Sequence, residues 1–121
     1  MSWAYYGAGA LGLLALAILG QIIRCWFKDP KRALALTTHD PALFPQVMAG
    51  RYIFLAYILA LALLSGSVLA IAAVFAGFSF LGFFDAVLYA RAGKPARKHW
   101  QAGVGSALAA ALSVSFWAIA A

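Results

Sequence analysis

Between Pro45 and Tyr89 the sequence is apolar except for two ionisable residues, Arg51 and Asp85. An ionisable side chain inside a run long enough to cross a bilayer is costly, so it has a partner or a task. Arg51 lies shortly after Pro45 and Asp85 shortly before Arg91. At 1.5 Å of rise per residue, each sits roughly 9 Å from the nearer polar boundary. If the run folds back at its middle, the two residues come to the same depth on neighbouring antiparallel helices, which predicts an Arg51–Asp85 ion pair.

Helical spacing places Phe78, Gly82, Asp85 and Tyr89 on one face, with Gly82 leaving room above the carboxylate for a ligand, a water or another helix. His99, followed by Trp100 and Gln101, opens the next apolar segment at a similar level. The expected polar cluster is therefore Arg51, Asp85, Tyr89, His99 and Gln101, with His39 and Asp40 from a preceding loop folded over it. In such a cluster Asp85 and His99 are the acid–base groups. Arg51, Tyr89 and Gln101 are the ligand-binding groups, Arg51 orienting an anion or Asp85 itself. The structural alternative is that Arg51–Asp85 only locks two helices together while Lys98 and His99 reach the head groups.

Other chemistries find less support. His39 and His99 lack a paired metal-ligand spacing, and one cysteine with three acidic residues completes no ligand set, so no metal site is expected and haem ligation by the two histidines is disfavoured. No serine or cysteine elbow is present. Gly7 and Gly9 open an apolar segment rather than follow a strand, so no phosphate loop is indicated. Phe75, Phe78, Phe80, Phe83 and Phe84 read as lipid- or core-facing rather than as a cofactor box. The sequence identifies no cofactor.

The elements that position the cluster follow from composition. Of 121 residues, 66% are hydrophobic and only 10% charged, against roughly 25% charged in soluble domains. A soluble fold this small could not hide so much apolar surface. Four spans are expected, at residues 4–23, 45–64, 68–89 and 101–120, joined by basic loops at 24–44 and 90–100 and by a tight turn at Ser65-Gly66-Ser67. Lys31 to Leu36, inside the first loop, suits a short helix on the membrane surface. The N-terminus lacks the positive region of a signal peptide.

All nine Lys and Arg residues then fall on one side, which the positive-inside rule makes cytoplasmic. Both termini face away from it. The net charge of +6 marks topology and contact with anionic head groups rather than nucleic-acid binding. Cys25 lies at the charged end of the first span and has no partner for an internal disulfide.

Small residues at four-residue spacing in the last span (Gly103, Ala107, Ala111, Ser115), with Gly105, Ala109 and Ser113 alongside, predict close helix packing. Ala8, Gly12 and Gly20 in the first span, and Ala73 and Gly77 in the third, add to it. The expected fold is all-α: a polytopic four-transmembrane-helix bundle, forming a homo-oligomer or joining a larger membrane complex.

The order of features allows one comparison. An apolar first helix, an Asp-Pro loop, Gly50-Arg51 opening the second helix and Phe84-Asp85 late in the third are followed by a Gly-Lys-Pro loop, His99 and a small-residue fourth helix. This pattern resembles the small four-helix bacterial membrane proteins of unknown function of the DUF4267/DUF4345 type, distantly DoxX-like. The resemblance implies the same four-helix fold and interest in Arg51, Asp85 and His99, without an activity. The membrane-associated eicosanoid and glutathione enzymes share the topology, but Met48-Ala49-Gly50-Arg51-Tyr52-Ile53-Phe54 lacks their polar second-helix pattern.

The sequence thus points to a binding or accessory subunit of a bacterial cytoplasmic (inner) membrane with a polar pocket at its cytoplasmic face. A compact membrane enzyme acting on a lipophilic substrate through Asp85 and His99 is the alternative. A proton or ion pathway is disfavoured, because the outer halves of the spans carry no ionisable residue to continue a relay.

Overall fold

The computed structural model describes residues 3–37 and 40–121, without the side chains of Ala4, Tyr5, Ala8, Leu36 and Thr37. His39, expected near the cluster, and the Ala8 side chain lie outside the described residues. The elements are α1 (Trp3–Lys28), α2 (Pro30–Thr37), a 3-10 turn (Pro41–Leu43), α3 (Phe44–Leu64), α4 (Val68–Arg91) and α5 (Arg97–Ala120), with no strand among the described residues. Four of the helices are long and apolar enough to cross a membrane, which marks an integral membrane protein of helical type.

Burial supports the same solvent assignment. Among the described residues the buried apolar ones are Ala33, Ala62, Ala72 and Ala86, whereas large side chains such as Leu14, Phe54, Leu64 and Ile119 point outward. A water-soluble fold buries its large apolar residues and exposes its small polar ones. Here small residues make the helix contacts and large ones face the surroundings, as packing in lipid requires.

Each helix runs to or beyond the edge expected from hydropathy. α1 continues past Ile23 to Lys28, α4 past Tyr89 to Arg91, and α5 begins at Arg97 rather than Gln101. Hydropathy marks where the chain enters the head groups. The helical hydrogen bonds end only where a turn residue interrupts them.

The chain divides into two compact units, Met1–Ala49 and Gly50–Ala121. In the first, α1 and α2 join almost without a break. The Asp29 amide donates to Cys25 O at 2.8 Å, and Asp29 Oδ1 accepts from the Arg32 amide at 3.1 Å, capping α2. Pro30 takes the first helical position, where its missing N–H costs nothing. The short helix expected around Lys31–Leu36 is present as α2, and it buries Ala33. Asp40 Oδ1 accepts from the Ala42 amide at 2.9 Å, so the carboxylate expected over the cluster serves as the cap of the 3-10 turn.

In the second unit α4 and α5 form the tight pair. α4 closes on Gly93, whose φ of +68° suits a residue without Cβ. The Lys94 amide donates to Tyr89 O at 2.9 Å and the Gly93 amide to Ala90 O at 3.0 Å, the two hydrogen bonds of a Schellman ending. The chain reverses within a few residues, so α5 runs back along α4 and its first turn stands beside the last turns of α4.

The seam departs from the four-residue stripe expected for α5. Along α4 the buried residues are Ala72, Ser79, Gly82 and Ala86, while Ala73 and Gly77 are exposed; along α5 Gly103 is buried, Ser106, Ala107, Ala109, Ala110 and Ser113 are half-buried, and Gly105, Ala111 and Ser115 are exposed. Four residues turn a helix through 400°, so a four-residue stripe drifts by 40° per step. Alternating steps of three and four hold the face toward an antiparallel neighbour at a shallow crossing angle.

Candidate functional site

The seam is closest where Gly82 meets Gly103. A Cβ built on Gly82 would lie 2.5 Å from Gly103 N and 2.7 Å from Gly103 Cα. Ser79 Oγ, one turn away, donates to Gly103 O at 3.0 Å. The room that Gly82 leaves is therefore taken by the backbone of α5, the third of the occupants considered for it. Phe83 lies over Gly103 and its ring packs against Trp100 at 5.7 Å between centroids.

This crossing fixes the polar cluster. Asp85 is one turn beyond Gly82 on α4, and His99 is one turn before Gly103 on α5. His99 Nδ1 lies 4.0 Å from Asp85 Oδ2, too long for a direct hydrogen bond but within reach of one after a small rotation. The Tyr89 ring packs against the imidazole with centroids 4.4 Å apart and the planes inclined at 44°. From α3, Arg51 Nη2 donates to Asp85 Oδ2 at 3.2 Å. Asp85 Oδ2 is the shared acceptor of the cluster, flanked by one permanent cation and one imidazole.

α3 approaches differently. Its backbone stands off from α4 and α5, and the Arg51 side chain bridges the gap. What remains is a cleft of about 300 Å³. Arg51, Leu55 and Leu59 line it at four-residue intervals from α3; Phe78, Leu81, Gly82 and Asp85 line it from α4; His99, Ala102 and Ser106 line it from α5. The ionisable groups Arg51, Asp85 and His99 lie together at one level of it, and Leu55, Leu59, Phe78 and Leu81 line the remainder along with Ser106. The side chains of Arg51, Asp85 and His99 are 32%, 22% and 30% exposed, so these groups are reachable from outside.

Of the residues picked from sequence, the structure thus brings together Arg51, Asp85 and His99, with Tyr89 against His99. Gln101 is exposed and does not line the cleft. Sequence reasoning missed Tyr52 and Ser106, which both line it. Ser106 follows His99 by two helical turns, a spacing that could have found it. Tyr52 carries no signal beyond adjacency to Arg51.

A group of three or more His, Cys, Asp or Glu side chains able to hold a metal ion is absent among the described residues. The cluster can hold an anionic group against Arg51, accept a donor at Asp85, and pass a proton between Asp85 and His99 once they touch. No protein-family model matches the chain, and no curated protein or solved structure is significantly similar to it.

Proposed function

We propose that this protein is a small integral membrane binding or accessory subunit whose cleft receives the head of an amphiphilic molecule. The observation that carries this reading is the two-part lining of one cleft: Arg51, Asp85 and His99 at one level, Leu55, Leu59, Phe78 and Leu81 along the remainder. A polar head satisfies the ionisable groups and an apolar tail leaves along the apolar lining toward lipid. A volume of about 300 Å³ is at the small end of ligand pockets, so it holds a head and the first part of a chain.

The distribution of Lys and Arg supports a cytoplasmic-side position for this pocket, with both termini on the opposite side of a bacterial cytoplasmic membrane. The small-residue surfaces left exposed at Gly77, Gly105 and Ala111 favour a homo-oligomer or a place in a larger complex. The likeness to the small DUF4267/DUF4345-type proteins belongs to the same reading.

A second reading, a compact membrane enzyme on a lipophilic substrate, draws on the 4.0 Å approach of His99 to Asp85. A carboxylate that orients an imidazole is an acid–base arrangement, with Arg51 placed to hold a charged substrate group.

Native mass spectrometry of protein extracted gently from its own membrane, wild type against Arg51→Gln, tests the proposal. A small molecule or lipid retained by wild type and lost in the variant supports the pocket. An unchanged assembly with only its stability altered makes Arg51–Asp85 a helix lock and removes the proposal. Turnover of the retained molecule, abolished by His99→Gln with retention intact, would select the enzyme.

A further inference from the structure

The first unit carries a second concavity that the proposed pocket does not use. At the junction of α1 and α2 a cleft of about 350 Å³ is lined by Arg24, Lys28 and Arg32 together with Ile22, Cys25 and Asp29. Arg24 and Lys28 are one turn apart on α1. Arg32 comes from the first turn of α2, carried to the same cleft by the near-continuous passage through Asp29 and Pro30. Among the described residues none of these three cations forms an ion pair with a carboxylate. Asp29 is the one acidic group present, and its Oδ1 is engaged by the Arg32 amide. Three cations beside one carboxylate leave the cleft with a net positive charge, and an anion entering it relieves the remaining repulsion.

We infer that this cleft is a binding site for a phosphate-bearing anion. Arg supplies forked N–H donors suited to phosphate oxygens, and Lys adds a point charge. Ile22 places apolar surface next to the cations, so a phosphodiester with hydrocarbon attached fits the lining. Anionic membrane phospholipids and free phosphate compounds share this chemistry, and the experiment separates them. The site differs from diffuse attraction of a basic loop to a charged surface: three side chains from two helices converge on one concavity.

The test uses full-length protein in nonionic detergent micelles, titrated with phosphatidylglycerol, phosphatidylcholine or inorganic phosphate and read by native mass spectrometry and phosphorus NMR. Arg24→Gln/Lys28→Gln/Arg32→Gln weakens anion binding on the order of 100-fold, taking each interfacial cation as about fivefold. Arg91→Gln/Lys94→Gln/Lys98→Gln, with the same loss of charge elsewhere, stays within about threefold of wild type on the same scale. Asp29→Asn keeps a capping side chain and removes the opposing charge, so it tightens binding roughly fivefold. A gain of this kind cannot come from misfolding. The pattern appearing with phosphatidylglycerol alone assigns the site to lipid, and with inorganic phosphate as well to a smaller phosphate compound. Equal weakening by both triple variants, or no tightening in Asp29→Asn, overturns the inference.

Discussion

Gly82→Ala is the substitution that tests the geometry most directly. Its new Cβ would stand 2.5 Å from Gly103 N, 2.7 Å from Gly103 Cα and 3.1 Å from Ala102 C. All three are backbone atoms and cannot swing aside. Restoring ordinary contact at about 3.5 Å moves α5 away by roughly 1 Å. Overpacking of this kind costs about 1–3 kcal/mol. The displacement also stretches the 3.0 Å bond from Ser79 Oγ to Gly103 O, about 0.5–1.5 kcal/mol more. Against this stands the gain from replacing glycine inside a helix, up to about 1 kcal/mol.

Gly77→Ala isolates the packing term. Gly77 lies on the same helix, is exposed, and has nothing within 4 Å of an added Cβ. The helix-propensity gain is common to both variants, so their difference reads the seam alone. It should be about 2–4 kcal/mol, with Gly82→Ala the less stable. Reversible unfolding in bicelles measures it. Gly103→Ala should fall between the two, because its Cβ meets the Phe83 ring at 2.7 Å and a side chain can yield where a backbone cannot. Equal stability of Gly82→Ala and Gly77→Ala, or a larger loss in Gly103→Ala, would refute the close crossing.

Three further outcomes follow from the same geometry. Arg51→Gln and Asp85→Asn in a double-mutant cycle should couple by about 1 kcal/mol, since the pair is partly exposed; additive effects would mean no interaction at the 3.2 Å contact. Ser67 Oγ accepts from the Ala70 amide at 3.2 Å as the cap of α4, so Ser67→Ala should cost about 1 kcal/mol in the same bicelle assay, and a neutral result would remove the cap from the account of the turn. The proposed orientation predicts that a membrane-impermeant maleimide labels Cys25 only from the cytoplasmic side, and that Ala121→Cys in a Cys25→Ser background labels only from the other; the reverse pattern inverts the topology.

The spans were legible because lipid imposes one strong demand, long apolar helices, and the sequence meets it four times. The Arg51–Asp85 pair was legible for a related reason. Charge inside an apolar run is so costly that two such residues at matched depth predict each other. His99 and Tyr89 followed from the short Gly93–Pro95 connection, which brings the two helix ends together. The α4–α5 seam was read less well. Glycine, alanine and serine are plentiful on every face of α5, so composition does not say which stripe is in contact; only the helical period against a partner does, and that selects Gly103, Ser106, Ala110 and Ser113 over Ala111 and Ser115. Gln101 illustrates the same limit, since two residues from His99 is 200° around a helix and faces away from it. The basic junction of Arg24, Lys28 and Arg32 was visible as charge but not as a cleft, because its shape depends on the way α1 continues into α2 through Asp29.

The contrast in how the helices of the second unit are held bears on how the pocket would work. α4 and α5 touch through backbone at Gly82 and Gly103 and through a buried hydrogen bond, contacts that leave no room for sliding. α3 is attached by its turn at Ser65–Ser67 and, at the far end, by Arg51 reaching to Asp85. On the proposed reading an anionic head group entering the cleft competes with Asp85 for Arg51. The group that binds the ligand is then the one that tethers α3, so occupancy should loosen α3 while leaving the seam intact. Asp85→Asn removes the tether without removing Arg51, and it should mimic occupancy: hydrogen exchange in the first turns of α3 rises, and exchange along the α4–α5 seam is unchanged. Faster exchange in all three helices together would mean that Asp85 holds the whole unit, and the separation of a fixed seam from a tethered helix would fall.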